Sequence, residues 1–140
     1  MNPYQKYRRQ DETTGWTRMN LLLALYDKAL ERLDQAEGLL QTGDAIGATT
    51  QLAKTQLIVM ALASGVNPDV NPEAGVNMLR LYEFVTNELR QPRVEGIANA
   101  RKIFRTLREG FEAVQAEANE LERTGKVPSI NQLQILHTTA

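Results

Sequence analysis

The sequence predicts an all-α chain: an antiparallel four-helix bundle with a flexible N-terminal arm and a short C-terminal extension. Three observations carry that prediction. Long segments place apolar residues at three- and four-residue spacing, the period of a helix face. The clusters "TGD", "SGVNPDVNP" and "RQPR" separate those segments with the residues that stop and restart helices. No stretch sustains a two-residue alternation, and no Asn-Gly or Asp-Gly hairpin turn occurs.

The expected arm is 1–16, the bundle 17–124 and the extension 125–140. The arm is polar and charged, with Tyr4 and Tyr7 as large apolar groups before Trp16. Thr17 is the expected N-cap of a first helix running to Thr42, where Gly43 supplies a left-handed stop. Asp44 then caps a second helix to Ser64, so "TGD" makes the first two helices antiparallel neighbours. Asn71-Pro72-Glu73 starts the third helix: Asn caps, Pro suits the first helical position, and Glu meets the positive end of the dipole. That helix is expected to reach Leu89, where Pro92 removes an amide donor and disfavours helix at Gln91. A continuous fourth helix is expected over Val94–Arg123. The tail "KVPSINQLQILHTTA" reads either as a short amphipathic turn or as a mobile extension.

The widths of the apolar faces differ. In "NLLLALYDKALERL" (Asn20–Leu33) the apolar residues cover roughly 200° of the helical wheel, against about 100° for an ordinary surface helix. The end of the second helix, "LIVMALA", is apolar nearly all round, and Val76, Met78, Leu79, Leu81, Tyr82, Phe84, Val85 and Leu89 spread widely on the third. On the fourth helix Ile97, Ala100, Phe104, Leu107, Phe111, Val114, Ala118 and Leu121 stay within about 120°. The first three helices therefore carry surplus apolar surface, worth roughly 1.5–3 kcal/mol for each large side chain fully buried. Something is expected to cover it.

Composition narrows the function classes. The chain has 140 residues, 42% hydrophobic and 24% charged, with a formal net charge of −1. No global field draws in nucleic acid or anionic lipid, and "KYRR" (Lys6–Arg9) is too short a basic run to change that. With no cysteine there is no disulfide, thiolate nucleophile or cysteine zinc site. His137 is the single histidine, so an acid–base pair of histidines is impossible, and the lack of Glu-x-x-His on any helix argues against a four-helix di-metal site. The N-terminus lacks the apolar core of a signal peptide, and the apolar runs are too short to span a bilayer. The expectation is a cytoplasmic protein without enzymatic activity, metal or cofactor, recognising a partner by shape and apolar contact. Asp27 is either the polar edge of the first helix or a rim group that fixes a partner's backbone or basic residue. Tyr26 and Tyr82 are either core packers with satisfied hydroxyls or binding-surface residues.

"MNPYQKY", "LLLALYDKAL", "LAKTQLIVMAL", "MLRLYEFVTNEL" and "ARKIFRTLREGFEAV" occur in that order. Over residues 1 to 118 they resemble the flagellar export chaperones of flagellin, the FliS family. The resemblance implies a bundle that binds the C-terminal segment of flagellin, disordered when free and helical once it wraps the bundle. It also implies delivery to a component of the flagellar export gate, and an arm that lies over part of the groove until the client displaces it. By position, the implied partner-binding residues are Tyr4 and Tyr7 in the arm, and Leu22, Leu25, Tyr26, Asp27 and Leu30 on the first helix. Ile58 and Leu62 follow on the second, and Leu81 and Tyr82 on the third. The chain departs from the family at Thr14-Gly15-Trp16-Thr17, where Thr-Ala-Ser-Pro is usual, and at Lys28, where Gly is favoured. It also departs at "NPEAG" before the third helix and in its continuation past residue 118. A helical scaffold that forms a homodimer through the same surplus surface, or serves a client other than flagellin, is the alternative reading.

Overall fold

The computed structural model describes residues 16–67 and 69–127. They contain five helices and no strand: α1 (Arg18–Gln41), α2 (Ala45–Ser64), α3 (Pro72–Glu88), α4 (Val94–Ala113) and α5 (Gln115–Arg123). Tyr4, Tyr7 and most of the C-terminal extension lie outside the described residues.

The helix ends follow the local chemistry. The Thr17 hydroxyl accepts the Asn20 amide at 3.2 Å and caps α1. Gly43 adopts φ 83°, the left-handed conformation that ends the helix without a Cβ clash. Asp44 caps α2 by accepting the Gly47 amide at 2.8 Å. Asn71 caps α3 through Ala74 at 3.2 Å, with Pro72 in the first turn. Replacing Asn71 by alanine is expected to cost about 1 kcal/mol of stability. A urea titration checks this, and an unchanged midpoint would show that the cap contributes nothing.

The chain divides into two compact units, and α1 and α4 each contribute to both. The unit Leu25–Glu109 holds most of the core. There each helix buries one seam: Tyr26, Ala29, Leu33 and Ala36 on α1; Ala48, Leu52, Thr55, Val59 and Leu62 on α2; Tyr82, Val85 and then Leu89 at the end of α3; Ile97, Ala100 and Phe104 on α4. The three–four spacing of these seams is that of coiled-coil packing. Arg108 of α4 pairs with Asp27 of α1, and Arg101 pairs with Asp34 and Glu37. The paired positions rise along α1 as they fall along α4, so these two helices run antiparallel. Burial disfavours the Arg101 charge, but Glu37 and Asp34 more than offset it and hold its pKa above the usual value.

In the other unit, described over residues 16–24 and 110–127, polar contacts join the start of α1 to the segment around α5. Asn20 Oδ1 accepts from Gln115 at 2.9 Å and from Asn119 at 3.2 Å, the Thr17 hydroxyl donates to Asn119, and the Arg18 amide donates to Glu122. Here the expected continuous fourth helix is corrected: it breaks between α4 and α5. Val114 leaves the helical conformation at φ −109°, ψ 9°, and its amide bonds back only three residues to Phe111. The tightened turn shifts the register, so that Gln115 and Asn119 meet Asn20 while Val114 and Leu121 of the expected apolar stripe are exposed.

Candidate functional site: exposed apolar faces on α2 and α3

The surplus apolar surface expected from the wheels is real, but it is unevenly distributed. On α1 it mostly resolves into core: Leu23, Tyr26, Ala29 and Leu33 are buried, Leu22, Leu25 and Leu30 are half-buried, and Leu21 is exposed. On α2 it does not resolve. Opposite the buried seam, Ile46 is 84% exposed and Leu57 and Met60 are each 65% exposed. On α3 the buried strip of Tyr82 and Val85 is flanked by exposed Leu81 and Phe84 on one side and by exposed Val76 and Leu79 on the other. The two helices meet where the Gln56 amide donates to the Leu89 carbonyl at 3.2 Å.

Charge follows the opposite pattern. The α1–α4 side carries the Asp27–Arg108 and Asp34/Glu37–Arg101 pairs. α2 carries a single charged residue, Lys54, in twenty. An apolar, nearly uncharged helix face in water suits the apolar side of another amphipathic helix, which adds area without leaving buried charge unpaired.

The residues singled out by sequence fall into four groups. Tyr26, Leu62 and Tyr82 are placed in the core, at most 3% exposed. The two tyrosine hydroxyls share a hydrogen bond of 2.6 Å, and the Tyr26 ring meets Phe104 edge-on with centroids 5.8 Å apart. Burial, the first cause, raises both phenol pKa values; the shared hydrogen bond raises Tyr26 further and acts in the lowering direction on Tyr82. Of the two readings of these tyrosines, the packed one with satisfied hydroxyls describes the folded chain. Leu22, Leu25, Leu30 and Ile58 lie half-buried at the edges of their helices, and Leu81 is exposed. Asp27 is exposed and accepts from Arg108, so its carboxylate meets a basic residue of its own chain. Tyr4 and Tyr7 are outside the described residues.

Ile46, Leu57, Met60 and Phe84 went unselected by the sequence reading, yet they are among the most exposed large apolar side chains. The signal that finds them on α2 is a second three–four repeat, offset from the first, in a helix too apolar for one buried face. The arrangement offers contact area and no chemistry. Among the described residues no group of three or more His, Cys, Asp or Glu is placed to hold a metal ion. Among the same residues no helix is long and apolar enough to cross a membrane.

The model of one family, described as flagellar protein FliS, matches residues 1–118. No individual curated protein matches the chain.

Proposed function

The chain belongs to the FliS family of flagellar export chaperones, which are not enzymes, and from that premise we propose that it holds the C-terminal segment of flagellin in the cytoplasm until export. The observation that carries the reading is the exposed apolar surface of α2 and α3, above all Leu57, Met60, Leu81 and Phe84. A client segment that becomes helical on binding gives up about 2–5 kcal/mol in ordering. Half-exposed Leu, Met and Phe side chains return on the order of 1 kcal/mol each when covered, so four of them match that cost. Leu22, Leu25, Leu30 and Ile58, half-buried at helix edges, extend the contact as the client seats. Tyr4 and Tyr7 supply further aromatic surface from the arm. Asp27, paired with Arg108 in the free chain, serves as a rim group. Tyr26, Leu62 and Tyr82 act beneath the surface by holding the helices in place. Covering the client's apolar faces prevents premature association, and handing the complex to an export gate component releases it without nucleotide chemistry.

The test is titration of the full chain with a peptide of the C-terminal region of flagellin from the same organism, followed by calorimetry and circular dichroism. The expected result is micromolar or tighter binding, a gain in helicity and a negative heat-capacity change. Phe84→Glu is expected to weaken binding about tenfold or more, equivalent to about 1.4 kcal/mol, and the circular dichroism of the variant without peptide reports that its fold survives. No binding at several hundred micromolar peptide would overturn the reading.

A further inference from the structure

Between α1 and α2 lies a charged group that the apolar surface does not use. Arg32 of α1 is half-buried there, and its Nη1 donates to Gln51 Oε1 of α2 at 3.1 Å. The Nε–H of the same guanidinium is buried and has no partner among the described residues. A stranded donor of this kind costs the free chain stability.

The charge around Arg32 is one-sided. Lys28, one turn away on the same flank of α1, and Lys54, three residues beyond Gln51 on α2, are exposed at the two rims. Every acid of α1 is already engaged: Glu31 by Lys28 at 3.4 Å, Asp27 by Arg108, and Asp34 and Glu37 by Arg101. α2 contains no acid at all. Arg32 and Lys54 are therefore left without an acidic partner among the described residues.

The apolar neighbours give this charge a register. Leu25 is seven residues before Arg32, and Ile58 is seven residues after Gln51. Both are half-buried. Seven residues are two turns, so Leu25 and Ile58 lie on the same flanks, about 10 Å further from the Gly43 turn. The cleft is thus apolar at one level and cationic two turns on. An amphipathic helix that carries a carboxylate two turns from a large apolar residue matches it in both respects. The N-terminal arm matches it less well, because Lys6, Arg8 and Arg9 outnumber Asp11 and Glu12 there.

We propose that Arg32 is a specificity-determining anchor in the α1–α2 cleft, which receives an Asp or Glu side chain of the client helix while Leu25 and Ile58 take an apolar residue two turns away. The proposal rests on the flagellin-segment reading and adds the chemistry by which the segment's position is fixed. Turning the guanidinium outward gives up the bond to Gln51, which is half-buried and keeps access to water. In return it frees Nε and Nη for a two-pronged grip on a carboxylate, and the stranded donor gains a partner. Lys28 and Lys54 at the rims steer the acid towards the cleft.

The test is calorimetric titration of the full chain with the flagellin C-terminal peptide, and with peptides in which each Asp is replaced by Asn, or each Glu by Gln, one at a time. One replacement, at an acid two turns from a large apolar residue, is expected to weaken binding to wild type about tenfold. The same replacement is expected to leave binding to Arg32→Met nearly unchanged, because the partner group is already gone. Arg32→Met keeps an unbranched stem, binds the unmodified peptide about tenfold more weakly than wild type, and has its fold checked by circular dichroism and urea midpoint. Lys54→Gln, altered only at an exposed rim, is expected to slow association and to flatten its salt dependence. Full-strength binding by Arg32→Met, or no loss in wild type from any single acid replacement, would overturn the proposal and leave the chaperone reading intact. A wild-type chain that binds none of the peptides would overturn the chaperone reading itself.

Discussion

Tyr26→Ala is expected to lower the unfolding free energy by on the order of 3–5 kcal/mol, among the largest effects of any single truncation in this chain. The side chain is fully buried, its ring packs edge-on against Phe104, and its hydroxyl is bonded to Tyr82. Truncation removes ring and hydroxyl together, and Tyr26→Phe separates them. It keeps the ring contact but takes the described partner from the buried Tyr82 hydroxyl, at a cost of about 1–3 kcal/mol. Adding Tyr82→Phe is expected to recover part of that loss, because replacing both members of a buried pair by apolar groups is far cheaper than orphaning one. Chemical denaturation of the two single variants and the double variant measures the coupling. Strict additivity would show that the hydroxyls do not act as a pair.

The same pair sets an alkaline limit. Both phenols are held above their ordinary value of 10.0 in the folded chain. In the unfolded chain they ionise near pH 10. Below that pH both states keep the protons and folding is not penalised. As pH rises above 10, the unfolded state loses protons that the folded state retains, and stability falls by about 1.4 kcal/mol per pH unit for each withheld proton. The loss continues until the folded phenols themselves ionise. The Tyr26→Phe/Tyr82→Phe variant is expected to lose stability less steeply above pH 10 than wild type. Parallel slopes would show that the pair does not carry the alkaline sensitivity.

How far the sequence reveals this molecule depends on the kind of feature. Helix ends are local chemistry, so Thr17, Gly43, Asp44, Asn71 and Pro72 mark them directly in the one-dimensional pattern. The break at Val114 is not local. It is accompanied by the contacts of Gln115 and Asn119 with Asn20, 95 and 99 residues away in sequence, while the apolar spacing runs through it undisturbed. The surplus on α2 and α3 was legible as an amount, because a wheel counts apolar residues on a helix. It was not legible as an address, because the wheel does not say which side of the helix the neighbours occupy. Hence the tyrosines of the Leu-Tyr motifs, Tyr26 and Tyr82, lie inside, while Leu57, Met60 and Phe84 lie outside. Two offset repeats on α2 were visible in the sequence, but only burial tells the inner seam from the outer.

A glycine whose role is invisible in the sequence gives the second large expected effect. Gly96 is buried in the first turn of α4, where that turn comes against the end of α3. A Cβ at Gly96 would lie well inside van der Waals contact with the Glu88 carbonyl oxygen and 3.3 Å from its carbonyl carbon. The obstruction is backbone, so rotating a side chain does not relieve it. Helix α3 or the start of α4 has to move, and the short connection through Pro92 leaves little slack. Helix propensity alone would make Gly96→Ala favourable by up to about 1 kcal/mol. Displacing packed backbone costs typically 1–3 kcal/mol or more and is expected to prevail, with Gly96→Val costing more still. Gly38 of α1 provides the control, because a Cβ there meets nothing within 4 Å. Gly38→Ala is therefore expected to stabilise the chain by about 0.5–1 kcal/mol. The same chemical change would then have opposite signs at two helical glycines, read as opposite shifts in urea midpoint. Equal shifts would mean that propensity, and not the approach of α4 to the Glu88 carbonyl, governs position 96.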